Sequence, residues 1–244
     1  MLGLWLWPAG TAAWAAQGPA TVRPDDPRPG SGPKTAAFRI IALGSSSTQG
    51  VGATSPAATY PAQLERLLNE AYRAKLAISV VNRGIGGEDI NDMMKRLKAD
   101  VLFRKPDLVI WQVGSNDPLR GVPLDRFKTE LRDGIDEIQA TGAEVVLMEP
   151  QWCPAIAKVD GANRFVEAVR DVGAAEHVDV VRRFDLMHQW ITEGFASRRG
   201  LVGPDGLHMT DQGYAMLAKA VFDEISARSV AFHDGMARTV STRH

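Results

Sequence analysis

Five short apolar runs, each followed by a stretch with helical spacing, constrain this chain more than any other feature. The runs are Phe38–Leu43, Ile78–Val81, Leu108–Val113, Val145–Met148 and Val178–Val181. A strand with one face in water alternates apolar and polar residues, whereas a continuous run belongs to a strand covered on both faces. Between the runs, apolar side chains recur at i, i+3, i+4 and i+7, the spacing of one helix face. Tyr60, Leu64, Leu67, Leu68 and Ala71 form the first such stripe, and Ile90, Met93, Met94 and Leu97 the second. Leu124, Phe127, Leu131, Ile135 and Ile138 form the third, and Phe165, Val166, Val169 and Val172 the fourth. A short helix around Leu186–Ile191 and a last one carrying Tyr214, Leu217, Val221, Phe222 and Ile225 complete the pattern. This alternation predicts a parallel sheet with helices on both faces. Right-handed crossovers then favour a three-layer α/β/α sandwich with a five-stranded, flavodoxin-like sheet in the order 2-1-3-4-5. Such sheets bind ligands at the carboxyl ends of their strands, near the switch between strands 1 and 3.

The chain outside this pattern is punctuated differently. Residues 1–16 hold an apolar stretch followed by small residues, with Ala13-Trp14-Ala15 as an A-x-A cleavage site, and read as a signal peptide that lacks a basic start. The stretch is short for a bilayer span, so the expected location is periplasmic or secreted, with no stable membrane insertion after processing. The competing reading is an apolar N-terminus of a cytoplasmic protein. Residues 17–34, rich in Pro, Gly, Asp and Arg, read as a linker that buries too little surface to fold. The folded domain is expected over residues 35–230 and a C-terminal tail over 231–244. With 244 residues, 45% of them hydrophobic, the chain suffices for one well-buried core. Its 28 Lys and Arg against 29 Asp and Glu give a net charge of −1, so no basic field exists to hold nucleic acid or an anionic membrane. The single cysteine, Cys153, excludes an intramolecular disulfide framework.

Four segments at the strand ends carry the chemistry. After the first run stands Gly44-Ser45-Ser46-Ser47-Thr48-Gln49-Gly50, a turn that exposes a side chain at the upper rim of the sheet. A phosphate-binding loop is excluded because Val51 stands where that motif demands Lys. After the second run comes Asn82-Arg83-Gly84-Ile85-Gly86-Gly87-Glu88-Asp89, which fails the dinucleotide spacing at Asp89 but offers free backbone N–H groups at a helix start. An ordinary strand-to-helix turn is the plain alternative. After the third run, Gly114-Ser115-Asn116-Asp117 places an amide where it can donate to a developing oxyanion, or merely shape a turn. Finally, in Asp205-Gly206-Leu207-His208 a carboxylate three residues before a histidine can accept the Nδ1 proton and leave Nε2 as a base. His177, His188, His233 and His244 lack such a partner. Each segment alone is a weak signal, but their order along the strand ends makes them converge on one crevice.

Together these segments resemble the SGNH (GDSL-type) hydrolases, over the stretch from Ile40 to about Ala220. The resemblance implies that Ser46 is the nucleophile and that Asp205 and His208 complete the triad. It also implies an oxyanion hole from the Ser46 and Gly87 N–H groups and the Asn116 amide. Two positions depart from the family pattern. Ser45 replaces the commonest Asp of the Gly-Asp-Ser block, and Met209 follows the histidine where Pro is frequent. Ser45 and Ser47 are rival nucleophiles by proximity, and Cys153 a remote one.

The expected activity is hydrolysis of carboxylic esters through an acyl-enzyme, without metal or cofactor. Short acyl groups, carbohydrate O-acetyl esters among them, are favoured because the loops around the site leave little room for a large lid. A lysophospholipase or thioesterase acting on longer chains is the alternative. A non-catalytic glycan-binding relative is a third reading, and transfer to a sugar instead of water a fourth. Trp152, just after the fourth run, is a candidate substrate contact, though plain packing explains a Trp there equally well. The partner is thus a small-molecule or glycan ester, and the sequence is silent on oligomeric state.

Overall fold

Successive side chains of a strand point to opposite faces of its sheet, and here both sets are apolar. In the computed structural model, which describes residues 36–241, the first strand, β1 (Ala36–Gly44), sends Phe38, Ile40 and Ala42 to one face and Ile41 and Leu43 to the other. Strands β2 (Leu76–Gly84), β3 (Leu108–Gln112), β4 (Glu144–Met148) and β5 (Asp179–Val181) flank it in the order β2-β1-β3-β4-β5. All four pairings are parallel, with Ile41 opposite both Val81 and Val109, Val109 opposite Val145, and Leu147 opposite Val180. The predicted strand order and three-layer architecture are both present. The expected signal peptide and linker lie outside the described residues.

Helices cover each face because their stripes match what the strands present. On the first face, α2 (Tyr60–Tyr72) brings Tyr60, Leu64 and Leu68, and α9 (Asp211–Arg228) brings Tyr214, Leu217, Val221 and Ile225. On the second, α3 (Ile90–Asp100) brings Ile90, Met93 and Leu97, α4 (Leu124–Gln139) brings Phe127, Leu131, Ile135 and Ile138, and α6 (Asn163–Ala175) brings Phe165, Val169 and Val172. Each of these Leu, Ile, Val or Phe side chains contributes about 1.5–3 kcal/mol on full burial. Short helices fill the connections: α1 (Ser46–Gln49), α5 (Pro154–Ala157), α7 (Arg183–Thr192) and α8 (Arg198–Leu201).

Helix starts at α3, α8 and α9 are fixed by side-chain caps, which satisfy N–H groups left open at a first turn. Asp89 accepts from Asp92 N–H at 3.2 Å at the start of α3, Ser197 from Gly200 N–H at 3.0 Å at α8, and Thr210 from Gly213 N–H at 3.2 Å at α9. Two of these caps adjoin the segments singled out above, so capping also aims the candidate site.

The C-terminal segment differs from expectation. Residues beyond 230 read as a tail, but Val230–Ser241 is a helix, α10. Its Phe232 is fully buried, edge-on to Phe38 at 5.5 Å and to Tyr72 at 4.9 Å between ring centres. The packed core therefore runs past residue 230. Among the described residues no helix is long and apolar enough to cross a membrane.

Candidate active site

Ser46 opens the single turn of α1 immediately after β1. The turn closes by Gln49 N–H to the Ser45 carbonyl and Gly50 N–H to the Ser46 carbonyl, both at 2.9 Å. What holds this turn in place is a glutamine that sequence reasoning passed over. Gln112, at the buried end of β3, accepts through one oxygen from Ser45 N–H (2.9 Å), Ser45 Oγ (3.0 Å), Ser47 Oγ (3.3 Å) and Thr48 Oγ1 (3.4 Å). Ser45, which stands where the family has Asp, is thus a buried donor to the floor of the site. Ser47 is equally buried and committed, whereas Ser46 is 9% exposed and its hydroxyl has no hydrogen-bond partner among the described residues. Of the three adjacent serines, only the middle one presents an unengaged hydroxyl.

The loop of Asp205 and His208 lies between α8 and α9 and is closed on itself. Gly203 N–H donates to the His208 carbonyl at 2.8 Å, and Val202 bridges Met209 in antiparallel fashion. Asp205 Oδ1 accepts from the Leu207 and His208 N–H groups, each at 3.0 Å, and Oδ2 lies 2.6 Å from His208 Nδ1. Partial burial pushes the Asp205 carboxyl up, but the Leu207 N–H, the His208 ring and the His208 N–H outweigh it and hold it below its ordinary range. An ionised carboxylate so placed fixes the imidazole with its proton on Nδ1 and Nε2 free.

Two ties bring this loop against the segment that follows the Ser46 turn. Tyr214 Oη on α9 donates to the Val51 carbonyl at 2.7 Å, and Thr54 N–H donates to Asp211 Oδ1 at 2.8 Å. Gly52 packs so closely that a Cβ there would meet the Met209 carbonyl at 2.6 Å and His208 Cβ at 3.2 Å, with φ at +91° besides. Any side chain at this position would drive the histidine loop away. Among the described residues no hydrogen bond yet joins Ser46 to His208; catalytic bonds of this kind often tighten only with substrate in place.

The third side of the site is the loop after β2. Gly86 lies against Ser46, since a Cβ there would come within 3.7 Å of Ser46 Cβ, and its N–H donates to Gln49 Oε1 at 2.8 Å. Gly87 follows with φ at +80°, a conformation that L side chains rarely adopt. Its own carbonyl and the next one are held from the loop after β3. Arg120 Nη1 donates to the Gly87 carbonyl at 3.0 Å, and Asn116 Nδ2 to the Glu88 carbonyl at 2.9 Å. Asp117 is buried and accepts from Ile90 N–H at 2.9 Å and Gly114 N–H at 3.1 Å; burial pushes its carboxyl up to about 6. The structure thus joins Asp205 to His208 and Asn116 to the Gly87 loop by hydrogen bonds, and sets Gly86 beside Ser46.

Trp152, the candidate substrate contact, is half-buried. Its neighbour Gln151 donates to the Leu207 carbonyl at 3.3 Å, while the Arg198 guanidinium lies 5.2 Å over the indole and His188 stands edge-on at 5.9 Å. Cys153 is buried and its thiol is pushed up by desolvation, which makes it a poor nucleophile. Among the described residues no group of three or more His, Cys, Asp or Glu side chains is placed to hold a metal ion. A depression of about 960 Å³ opens at the amino-terminal edge of the sheet, lined by Lys105, Asp107, Glu144, His177 and Arg228 among others. It lies at the opposite strand ends from Ser46 and has no part in this chemistry.

Besides Gln112, the residues missed from sequence were Gln151 and Arg183. All three are polar groups interrupting apolar or strand-end stretches, and that interruption was the available signal.

Comparisons with known proteins show what the chain as a whole is similar to. A family model described as the Non-GDSL lipase-like family matches residues 31–225. An acetylxylan esterase of Geobacillus stearothermophilus is 27% identical over 182 residues, covering 68% of this chain and 80% of its own length. Esterase TesA of Pseudomonas aeruginosa is 27% identical over 175 residues, covering 72% and 81%. Among solved structures, a lipase/acylhydrolase from Enterococcus faecalis superposes with a TM-score of 0.66 at 26% identity, covering 78% of this chain and 96% of that one.

Proposed function

The chain belongs to the Non-GDSL lipase-like family and is an SGNH-type serine ester hydrolase; from that premise we propose that Ser46, His208 and Asp205 form its triad and act on short-chain carboxylic esters, carbohydrate O-acetyl esters foremost. The observation that carries this reading is the 2.6 Å contact between Asp205 Oδ2 and His208 Nδ1, on a loop packed against the turn of Ser46. His208 Nε2 takes the proton from Ser46 Oγ as the oxygen attacks the ester carbonyl. Asp205 stabilises the imidazolium that forms. The oxyanion is met by the Ser46 and Gly87 N–H groups and by the second amide proton of Asn116. Collapse of the tetrahedral intermediate sends the His208 proton to the departing alcohol, and water then releases the acid from Ser46 by the same path.

The preference for short acyl groups is supported by the likeness to an acetylxylan esterase and by the bracing of the site loops through Arg120 and Asn116. A second reading, longer acyl chains, draws on Ile85 and Leu119, which are 45% and 46% exposed on the two loops that flank the oxyanion donors. Residues 1–16 and the linker after them favour a periplasmic or secreted enzyme, which N-terminal sequencing of the exported protein checks. Hydrolysis of p-nitrophenyl acetate, butyrate and octanoate by wild type and Ser46→Ala separates the readings of the site. Acetate turnover abolished in Ser46→Ala is expected; a preference for octanoate moves the substrate to lipids, and an equally active variant removes Ser46 from the mechanism.

A further inference from the structure

Arg183, at the start of α7, is fully buried directly beneath the site, and its bonds have an unusual distribution. Nε donates to the Glu149 carbonyl at 2.8 Å, Nη1 to Ser47 Oγ at 3.0 Å, and Nη2 to Gln151 Oε1 at 2.8 Å and, more loosely, to Ser115 Oγ at 3.5 Å. Each side chain it holds adjoins a group of the site. Ser47 follows Ser46, Ser115 precedes Asn116, and Gln151 donates onward to the carbonyl of Leu207, the residue before His208. One planar group therefore connects the nucleophile turn, the oxyanion loop and the histidine loop.

No carboxylate contacts Arg183 directly among the described residues, although the Glu149 charge acts on it from nearby. Glu149, whose carbonyl it bonds, gives its carboxylate to Arg170 and Arg182 instead, and Arg183 makes no ion pair among the described residues. Burial lowers the guanidinium only to about 10, so it stays protonated at neutral pH. Taking such a charge out of water without a partner costs several kcal/mol, and a Met would fill similar volume without that cost. A buried cation is useful where negative charge develops, and here that is at Ser46 Oγ and the oxyanion.

We propose that Arg183 is a positioning residue for ester hydrolysis, its carboxylate-free guanidinium tying the three catalytic loops together and setting fixed positive charge beneath the oxyanion. The proposal rests on the reading of Ser46 as nucleophile. It is tested by kcat and KM for p-nitrophenyl acetate in wild type, Arg183→Met, Arg183→Lys and Gln151→Glu, with Ser46→Ala alongside and circular dichroism as the check on folding. Arg183→Met is expected to lower kcat on the order of 10–100-fold with KM within about twofold, the scale of misplacing or weakening a preorganised site. Arg183→Lys, which keeps the charge, restores part of that loss. Gln151→Glu keeps Arg183 but gives it a counter-charge and removes the tie to Leu207, and its kcat falls as well. This variant decides the matter if the Met substitution does not fold, because a buried ion pair should be tolerated there. A folded Arg183→Met with wild-type kcat overturns the proposal, as does Gln151→Glu with wild-type kcat, or Arg183→Lys no better than Arg183→Met. If Ser46→Ala keeps full activity the nucleophile reading itself has failed, an outcome separate from any of these.

Discussion

At the scale of single residues, the site is built by taking groups out of use until the right ones are left. Ser45 and Ser47 are consumed by Gln112, and Ser47 again by Arg183, which leaves Ser46 with the free hydroxyl. The carbonyls of Gly87 and Glu88 are consumed by Arg120 and Asn116, which hold the Gly87 loop in place. Asn116 has two amide protons and the fold uses one, so the other is available for an oxyanion. Asn116→Ala therefore removes a donor and one of two braces on the Gly87 loop, while Arg120 keeps the other. Its kcat is expected to fall on the order of 10²–10³-fold with little change in KM, because the bond strengthens only as charge develops. Steady-state kinetics on p-nitrophenyl acetate check this, and a variant with full kcat takes Asn116 out of the oxyanion hole.

At the scale of elements, the last helix shows what periodicity can and cannot reveal. The strands lay within three residues of the apolar runs because burial on both faces writes itself into composition. The longer helices followed their stripes for the same reason. α10 escaped because the residues it packs on the core, Ala231, Phe232 and Met236, span little more than one turn, too short a run for a period to show. Its start is nonetheless specified: Ser229 Oγ accepts from Phe232 N–H at 3.1 Å, and Glu144 at the start of β4 accepts from Ser229 Oγ at 3.0 Å and Ala231 N–H at 2.6 Å. Phe232 then closes a ring cluster with Phe38 on β1 and Tyr72 on α2. Phe232→Ala should lower unfolding stability by about 3–5 kcal/mol, the range for emptying a buried aromatic site. Since Phe38 lies near the amino end of β1 and Ser46 beyond its other end, kcat should be unchanged. Urea titration with parallel kinetics measures both; a loss below about 1 kcal/mol would mean that α10 only rests on the core.

At the scale of the whole molecule, the fold and the triad candidates were legible while the supports between them were not. Ser46, Gly87, Asn116, Asp205 and His208 sit in short motifs at strand ends, where turn chemistry concentrates unusual residues. Gln112, Gln151 and Arg183 act across the sheet, so apart from the Gln112 bond to Ser115 their partners are 32 to 136 positions away in the chain and leave no local pattern. Asp117 is between the two cases: the motif contains it, but only the fold shows that it joins the end of β3 to the start of α3. Burial raises its carboxyl to about 6 despite the N–H bonds from Ile90 and Gly114, and the neighbouring Asp89 charge pushes the same way. A carboxyl raised in the folded state binds its proton more tightly there than in the unfolded chain, whose value is 3.8. Its contribution to stability is then fully present below the unfolded value and is lost as pH rises through about 6, after which the difference is constant. The loss amounts to roughly 3 kcal/mol at most. Asp117→Asn carries no such titration, although its amide presents an N–H where an oxygen accepted before, a cost independent of pH. The unfolding free energy of wild type relative to Asp117→Asn should therefore decline between about pH 4 and pH 7 and then level off. Urea midpoints across that range give the comparison directly, and parallel curves for the two proteins would show that the Asp117 carboxylate is charged in the fold at little cost.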